Sequence, residues 1–247
     1  MLNKVNVGIE FKKQEYSENE LNLVNDIFGI FTKNVYFKIG VDTDLKDSDK
    51  FVNFFGISGS GKTVIKDLIK EQLKNEGKNV LDFDDLEDFY DLHKDKTILE
   101  LFDITSSKDP ILKLLSGFGL FEIRLLTTKI KDLSTGQRTR LKYVYLVRLA
   151  ENAENLENNP IDFSYILIDE FLTFVDSLSS VSFARSLRKY LNDKSIQLFT
   201  FGVNDALVNN FEDVTFILGN TKINALVRDG EFIDLCKCEP ESEDKKE

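Results

Sequence analysis

Apolar positions recur in two rhythms along this chain, and the changes of rhythm mark its elements. Val35, Phe37, Ile39 and Val41 alternate with other residues between Asn34 and Leu45, the period of a strand. Asp47-Ser48-Asp49-Lys50 reads as a turn. Phe51–Phe55 is apolar except for Asn53, as expected for a strand covered on both faces. After a glycine-rich interval, Val64, Ile65, Leu68, Ile69 and Leu73 return at helical spacing, and Gly77 supplies a stop. Asn79–Phe83 predicts another short strand. Residues 97–130 look largely helical, broken at Asp109-Pro110 and at Gly117 and Gly119. A long helix is expected from near Ser134 to about Ala150, followed by an exposed loop over Glu151–Asn159, where Glu and Asn accumulate. Ser164–Ile168 and Ile196–Phe201 predict strands, with helical character between them over Ser182–Leu191. Thr215–Leu218 and Asn224–Asp234 look like late strands, the second interrupted by a turn at Arg228-Asp229-Gly230. Strands alternating with helices indicate an α/β protein with a mainly parallel sheet.

Length and composition narrow this picture. The 247 residues form one large domain, or a domain with a small appendage, and can bury a self-standing core. There is no Trp, so the 21 Phe residues take the large aromatic role. A formal net charge of −11 argues against broad nucleic-acid binding. That repulsion fades beyond a Debye length of about 8 Å at physiological salt, so local donors can still capture a polyphosphate. Cys236 and Cys238 are too few and too close for a disulfide framework, and with His93 the only histidine they make a poor zinc site. No apolar run reaches the ~18–20 residues needed to cross a bilayer, and the N-terminus lacks a signal-peptide layout. A cytoplasmic setting is expected. The cluster Asp82, Asp84, Asp85, Glu87 and Asp88 matches no calcium loop and is expected to be a solvated acidic face. The tail 239–247 is charged and expected to be disordered.

Three stretches carry chemistry. Gly56-Ile57-Ser58-Gly59-Ser60-Gly61-Lys62-Thr63 lies between a predicted strand and a predicted helix. Glycines there permit unusual backbone angles and close approach, so loop N–H groups and the helix N-terminus can face a phosphate. Lys62 can reach the β- and γ-phosphates, and the Thr63 hydroxyl can bind Mg²⁺. Asp169, at the end of the buried strand, can hold Mg²⁺ through water, while its neighbour Glu170 can face an attacking water as general base. Leu133-Ser134-Thr135-Gly136-Gln137 opens a helix with Ser134 as N-cap, a second anion site or simply a capped helix. One such tip cannot serve the same γ-phosphate as the glycine loop unless the chain folds back or a second copy supplies it.

In this order the three stretches resemble the nucleotide-binding domains of ABC-type ATPases. Gly56–Thr63 is the Walker A loop, Leu133–Gln137 the signature and Tyr165–Glu170 the Walker B strand with its glutamate. Thr173-Phe174-Val175-Asp176 sits where the family carries its D-loop, and Thr97-Ile98-Leu99-Glu100 looks like the lead into its helical subdomain. The resemblance covers about residues 30–235. It implies one ATPase domain over 1–238, with a P-loop NTPase core, an N-terminal antiparallel β element and an inserted helical subdomain at about 95–150. It also implies ATP and Mg²⁺ as ligands, with Ser58, Gly59, Ser60 and Gly61 at the phosphates. Head-to-tail homodimerisation on ATP would bring Ser134, Gly136 and Gln137 of one copy to the nucleotide bound by Lys62 of the other. Asp176 takes the D-loop aspartate's place, and Phe31 or Tyr36 would stack on adenine.

Two departures bear on function. Asn204 stands where the family's switch histidine is expected; it can donate a hydrogen bond but cannot carry a proton, so turnover is expected to be slow. The stretch between Lys62 and Ser134 is short for the family and contains no convincing Q-loop glutamine, since Gln72 lies too early. That tilts the expectation towards a soluble ATPase that drives a conformational switch in an unidentified protein partner. Asp169-Glu170-Phe171 in particular looks like soluble ABC-type ATPases sometimes fused to an acetyltransferase-like domain. The energising subunit of a membrane transporter and an ATP-sensing module with little hydrolysis are the alternatives. The absence of a long heptad region between the Walker motifs speaks against a coiled-coil DNA-repair ATPase.

Overall fold

The structure is a computed structural model that describes residues 4–11, 37–46, 48–154, 164–173, 175–203, 213–218, 223–228 and 231–234. Strands β1 (Lys4–Phe11) and β2 (Phe37–Asp44) pair antiparallel as a two-stranded sheet, with Lys4 opposite Asp44 and Phe11 opposite Phe37. The larger sheet contains β3 (Phe51–Gly56), β4 (Asn79–Asp82), β5 (Ser164–Asp169), β6 (Ile196–Gly202), β7 (Val214–Leu218), β8 (Ile223–Arg228) and β9 (Glu231–Asp234). Its order is β4-β5-β6-β3-β7-β8-β9, parallel from β4 through β7 and antiparallel from β7 to β9. The helices are α1 (Lys62–Asn75), α2 (Phe89–His93), α3 (Ile98–Leu101), α4 (Ile111–Gly117), α5 (Ile123–Leu126), α6 (Thr135–Glu154) and α7 (Ser177–Leu191). The mixed α/β class with a mostly parallel sheet is as expected.

Side-chain alternation along the strands divides the core in two. Ile166 and Ile168 of β5 join Phe51, Ile196 and Leu198 on the face covered by α4, α6 and α7. Tyr165 and Leu167 join Val52, Phe54, Phe199, Phe201 and Phe216 on the other face. Ile65, Ile69 and Leu73 lie four residues apart, and this single stripe lays α1 on that second face beside Val5 of β1. Burying each such side chain contributes roughly 1.5–3 kcal/mol. Phe54 stacks between Phe201 and Phe216, at centroid distances of 5.0 and 5.1 Å, so the central strands are cross-braced by rings. Asn53, the polar residue within an apolar strand, is buried opposite Thr200, whose hydroxyl donates to Asn53 Oδ1 at 3.1 Å. That bond satisfies both groups and makes the interruption compatible with a central strand.

Two expectations change. The loop predicted from Glu151 does not begin there: α6 continues to Glu154, and Glu151 is buried. Lys194 and Arg148 lie 2.6 and 3.6 Å from its carboxylate, and Tyr190 Oη donates to it at 3.2 Å, so tertiary partners hold a carboxylate inside. The acidic cluster is not uniformly solvated either. Asp82 is buried between Lys66 and Lys70 of α1, 3.5 and 2.8 Å away, while Asp84 and Asp85 remain exposed and bind the same two lysines. β1 pairs with β2 as the N-terminal antiparallel β element that the resemblance implies; its residues were not assigned from the apolar pattern, although Val5, Val7, Ile9 and Phe11 alternate along it. The thiols Cys236 and Cys238 and the charged tail lie outside the described residues.

The helical stretch over 97–130 is three short helices, and the first opens on a reciprocal cap. Thr97 Oγ1 accepts the Glu100 N–H, and the Glu100 carboxylate accepts the Thr97 N–H. Gly117 ends α4 against α7: a Cβ added there would lie 2.3 Å from Ser186 Cβ, so the two helices approach closely where the side chain is missing.

Candidate nucleotide site

Strand β3 delivers the chain at Gly56 to the carboxyl edge of the parallel sheet, and α1 carries it away from Lys62. Gly59 and Gly61 take φ of 80° and 88°, left-handed values open to glycine at little cost. Gly61 is the N-cap of α1 and offers no side chain to its first turn, so those N–H groups are open to an external anion. Gly56 and Ser60 lie beneath the loop. A Cβ at Gly56 would fall 2.6 Å from Ser60 Oγ and 3.0 Å from Leu218 Cβ, so only glycine fits. The buried Ser60 hydroxyl has no hydrogen-bond partner among the described residues.

Lys62 curls back over the loop and donates from Nζ to the carbonyls of Gly56 and Ile57, both at 2.8 Å. Burial lowers its pKa, although Asp169 and Glu170 pull the other way. Thr63 Oγ1 donates to Asp169 Oδ2 at 2.7 Å, and Asp169 Oδ1 accepts the Glu170 N–H at 2.9 Å. Two hard oxygen groups thus converge from elements far apart in sequence. Among the described residues no group of three or more His, Cys, Asp or Glu side chains gathers to hold a metal. A hydroxyl and one carboxylate suit a cation that completes its shell with phosphate oxygens and water, which is how Mg²⁺ is commonly bound; Thr63 and Asp169 fit that ion.

The chain turns sharply after β5. Glu170 and Leu172, neither a glycine, have φ of 51° and 56°. Phe171 and Leu172 are each only 1% exposed, while Glu170 stays exposed to the cleft. Phe171 N–H donates to Phe201 O, Thr173 N–H and Oγ1 both donate to Glu170 O, and Leu172 N–H donates to Tyr143 Oη at 3.3 Å. The turn therefore anchors two apolar side chains and leaves the carboxylate over the glycine loop's cleft.

That cleft, about 530 Å³, is lined by Ser58, Gly59, Gly61, Lys62, Thr63, Asp169 and Glu170. Thr173, Gly202 and Val203 line it too. Gly202 and Val203 were not singled out from sequence, though they follow a predicted strand next to β5 and β3, whose carboxyl ends share one edge. A smaller hollow shares Asp169 and Glu170 and adds Phe83, Thr139, Lys142 and Tyr143, bringing α6 to the site's flank. A larger one, between α4 and α7, has none of these residues.

Ser134 and Gln137 cap α6 reciprocally. Ser134 Oγ accepts the Gln137 N–H at 3.3 Å, and Gln137 Oε1 accepts the Ser134 N–H at 2.8 Å. Ser134, Thr135 and Gly136 are exposed, and nothing lies within 4 Å of where a Cβ on Gly136 would be. None of Ser134, Gly136 and Gln137 lines the cleft. Asp176 caps α7, accepting the Ser179 N–H at 2.9 Å; that hydrogen bond holds its carboxyl below the usual range, and it too lies off the cleft. Phe31, Tyr36 and Asn204 lie outside the described residues.

No family model matches this sequence, and no curated protein does. The fold is matched by solved structures. The dimeric structure of MJ0796, a bacterial ABC transporter cassette, superposes with a TM-score of 0.55 at 19% identity, over 92% of this chain and 98% of that one. The same cassette in a dimeric post-hydrolysis state bound to ADP and Pi gives 0.53 at 20% identity, over 92% and 98% of the chains. MJ1267, an ATP-binding cassette of an ABC transporter in its ADP conformation, gives 0.53 at 16% identity, over 92% of each chain. The protein has the fold of an ABC-type ATP-binding cassette.

Proposed function

We propose that this chain is a cytoplasmic ABC-type ATPase that closes on ATP as a head-to-tail homodimer and drives a conformational change in a protein partner. The observation that carries the reading is the convergence of Lys62, the Thr63–Asp169 pair and Glu170 on one cleft above an open helix N-terminus. In the proposed reaction the loop N–H groups and Lys62 hold the β- and γ-phosphates. Thr63 and Asp169 hold Mg²⁺, which offsets charge on the phosphate oxygens. Glu170 takes a proton from water as the water oxygen bonds to the γ-phosphorus. The bond to the β–γ bridging oxygen breaks, and ADP and phosphate leave. General-base assistance of this kind contributes about 10²–10⁴-fold.

The exposed, self-capped tip at Ser134 supports completion of the site by a second copy, because the tip lies off the cleft of its own chain. The MJ0796 cassette is a dimer, which supports the same arrangement. With Glu170→Gln and Mg-ATP, light scattering should give twice the monomer mass; persistent monomer at saturating ATP refutes closure. Phosphate release from wild-type protein should exceed that of Lys62→Ala, and equal rates would leave an ATP-sensing module.

A second reading is the energising subunit of a transporter, favoured by the fold matches, which are transporter cassettes. No described helix is long and apolar enough to cross a membrane, and in this reading the partner is a membrane protein. Co-purification with one from detergent extract would decide for it.

A further inference from the structure

We infer that Tyr143 is a positioning residue for Glu170, tying the helix that opens at Ser134 to the turn that aims the carboxylate. The inference rests on the ATPase reading above. Tyr143 lies nine residues beyond Ser134, roughly 13 Å along α6. Its ring is clamped on two sides. Phe83 stacks on it at 4.6 Å and 28°, and Phe171 meets it edge-on at 5.4 Å and 79°. Phe83 is itself fixed to β5, its N–H donating to Leu167 O at 2.9 Å.

Phe171 stands between the two left-handed residues Glu170 and Leu172. Side-chain-bearing residues in that region cost of order 1–3 kcal/mol each and persist where surrounding contacts over-determine them. Several hydrogen bonds do so here. Asp169 Oδ1 accepts the Glu170 N–H, Thr173 and Val175 close the turn on itself, Phe201 holds Phe171 from β6, and the Tyr143 hydroxyl holds Leu172 from α6. Among these, the Tyr143 contact alone arises from the helix that presents Ser134. A contact made at the tip of α6 therefore has a short, stiff route to the backbone of Glu170. Tyr143 itself does not touch the reacting atoms; it works through the turn.

Tyr143→Phe keeps the ring and removes the acceptor. Full-length wild type, Tyr143→Phe, Glu170→Gln and the double variant would be compared by single-turnover and steady-state ATP hydrolysis, with nucleotide Kd from calorimetry. We expect Tyr143→Phe to lower kcat about five- to tenfold with Kd for ATP within about twofold, the range set by one net hydrogen bond. In the Glu170→Gln background the same change should add no further loss, because its effect runs through Glu170. A wild-type kcat in the single variant, an affinity loss that accounts for the rate, or an undiminished five- to tenfold loss in the double variant overturns the inference. Phe83→Leu, which keeps the hydroxyl but removes the stacked ring, should show the same pattern, and decides the matter if Tyr143→Phe does not fold. A wild type that does not hydrolyse ATP, or Glu170→Gln at the wild-type rate, overturns the ATPase reading and this inference with it, a different pattern from any of the others.

Discussion

Changing Asp82 to Asn is expected to destabilise the protein by about 2–3 kcal/mol without touching the cleft. The Asp82 side chain is 1% exposed, and its Oδ2 lies 2.8 Å from Lys70 Nζ and 3.5 Å from Lys66 Nζ. Its Oδ1 accepts the Asp84 N–H at 3.0 Å. Removing one partner of a buried pair costs about 3–5 kcal/mol when the other is left alone. Here the cost is lower because Lys66 keeps Asp84 and Lys70 keeps Asp85, although both of those carboxylates are half-exposed. For a chain of this size each kcal/mol moves Tm by about 2–4 °C, so a fall of roughly 5–10 °C is expected by calorimetry. The acid limb supplies a second check. Burial raises the Asp82 pKa, but the hydrogen bonds from Lys70 and the Asp84 N–H and the two ammonium charges outweigh it and leave it below the ordinary carboxylate value. A depressed folded-state pKa stabilises above the unfolded value of about 3.9, and that stabilisation is lost as pH falls through the folded value. The Asn variant should thus lose less stability than wild type between about pH 6 and pH 3. Lys66 and Lys70 are shifted upward, burial opposing but their carboxylate partners prevailing, so their share is present below about pH 10 and lost as pH rises through their folded values. A Tm within about 1 °C of wild type at pH 7, or an unchanged acid limb, would refute this account.

Gly117→Ala should destabilise by about 1–3 kcal/mol through overpacking, because the new methyl lands 2.3 Å from Ser186 Cβ; Ser186→Gly in the same chain should restore most of the loss in a urea titration. Glu151→Gln removes the buried carboxylate that faces Lys194, while Arg148 keeps Asp109 at 3.7 Å, and should lower Tm by several degrees, with urea unfolding as the independent check. Gly56→Ala should weaken ATP binding at least tenfold by calorimetry while the sheet remains folded, because the added carbon meets Ser60 Oγ and Leu218 and displaces the loop.

What could be read in the sequence was what short-range chemistry decides. The loop Gly56–Thr63 announces itself because its glycines serve backbone geometry within one turn of chain, and Ser134 with Gln137 because a helix cap is a local bond. The parallel strands were legible from apolar runs, and even Asn53 did not hide β3. Its justification was invisible, since Thr200 reaches it only through strand register. Glu151 misled for the same reason. Its composition suggests a solvated loop, yet Lys194 and Tyr190, distant in sequence, keep it inside. Tyr143 gave no signal at all, because an aromatic on the inner face of a helix reads as core until its hydroxyl is seen to hold another segment's N–H. β1 is different: an N-terminal antiparallel element was expected from the resemblance, yet the alternation that locates this strand was present and went unread.

The seven-stranded sheet is bounded by β4 at one side and β9 at the other, each four residues long. An outer strand of that length exposes few unpaired amides and gives a neighbouring molecule little to extend. Chance ribbon-to-ribbon adhesion at these two edges of the larger sheet is thereby discouraged, whereas β1 and β2, eight residues each, form a separate pair with longer margins.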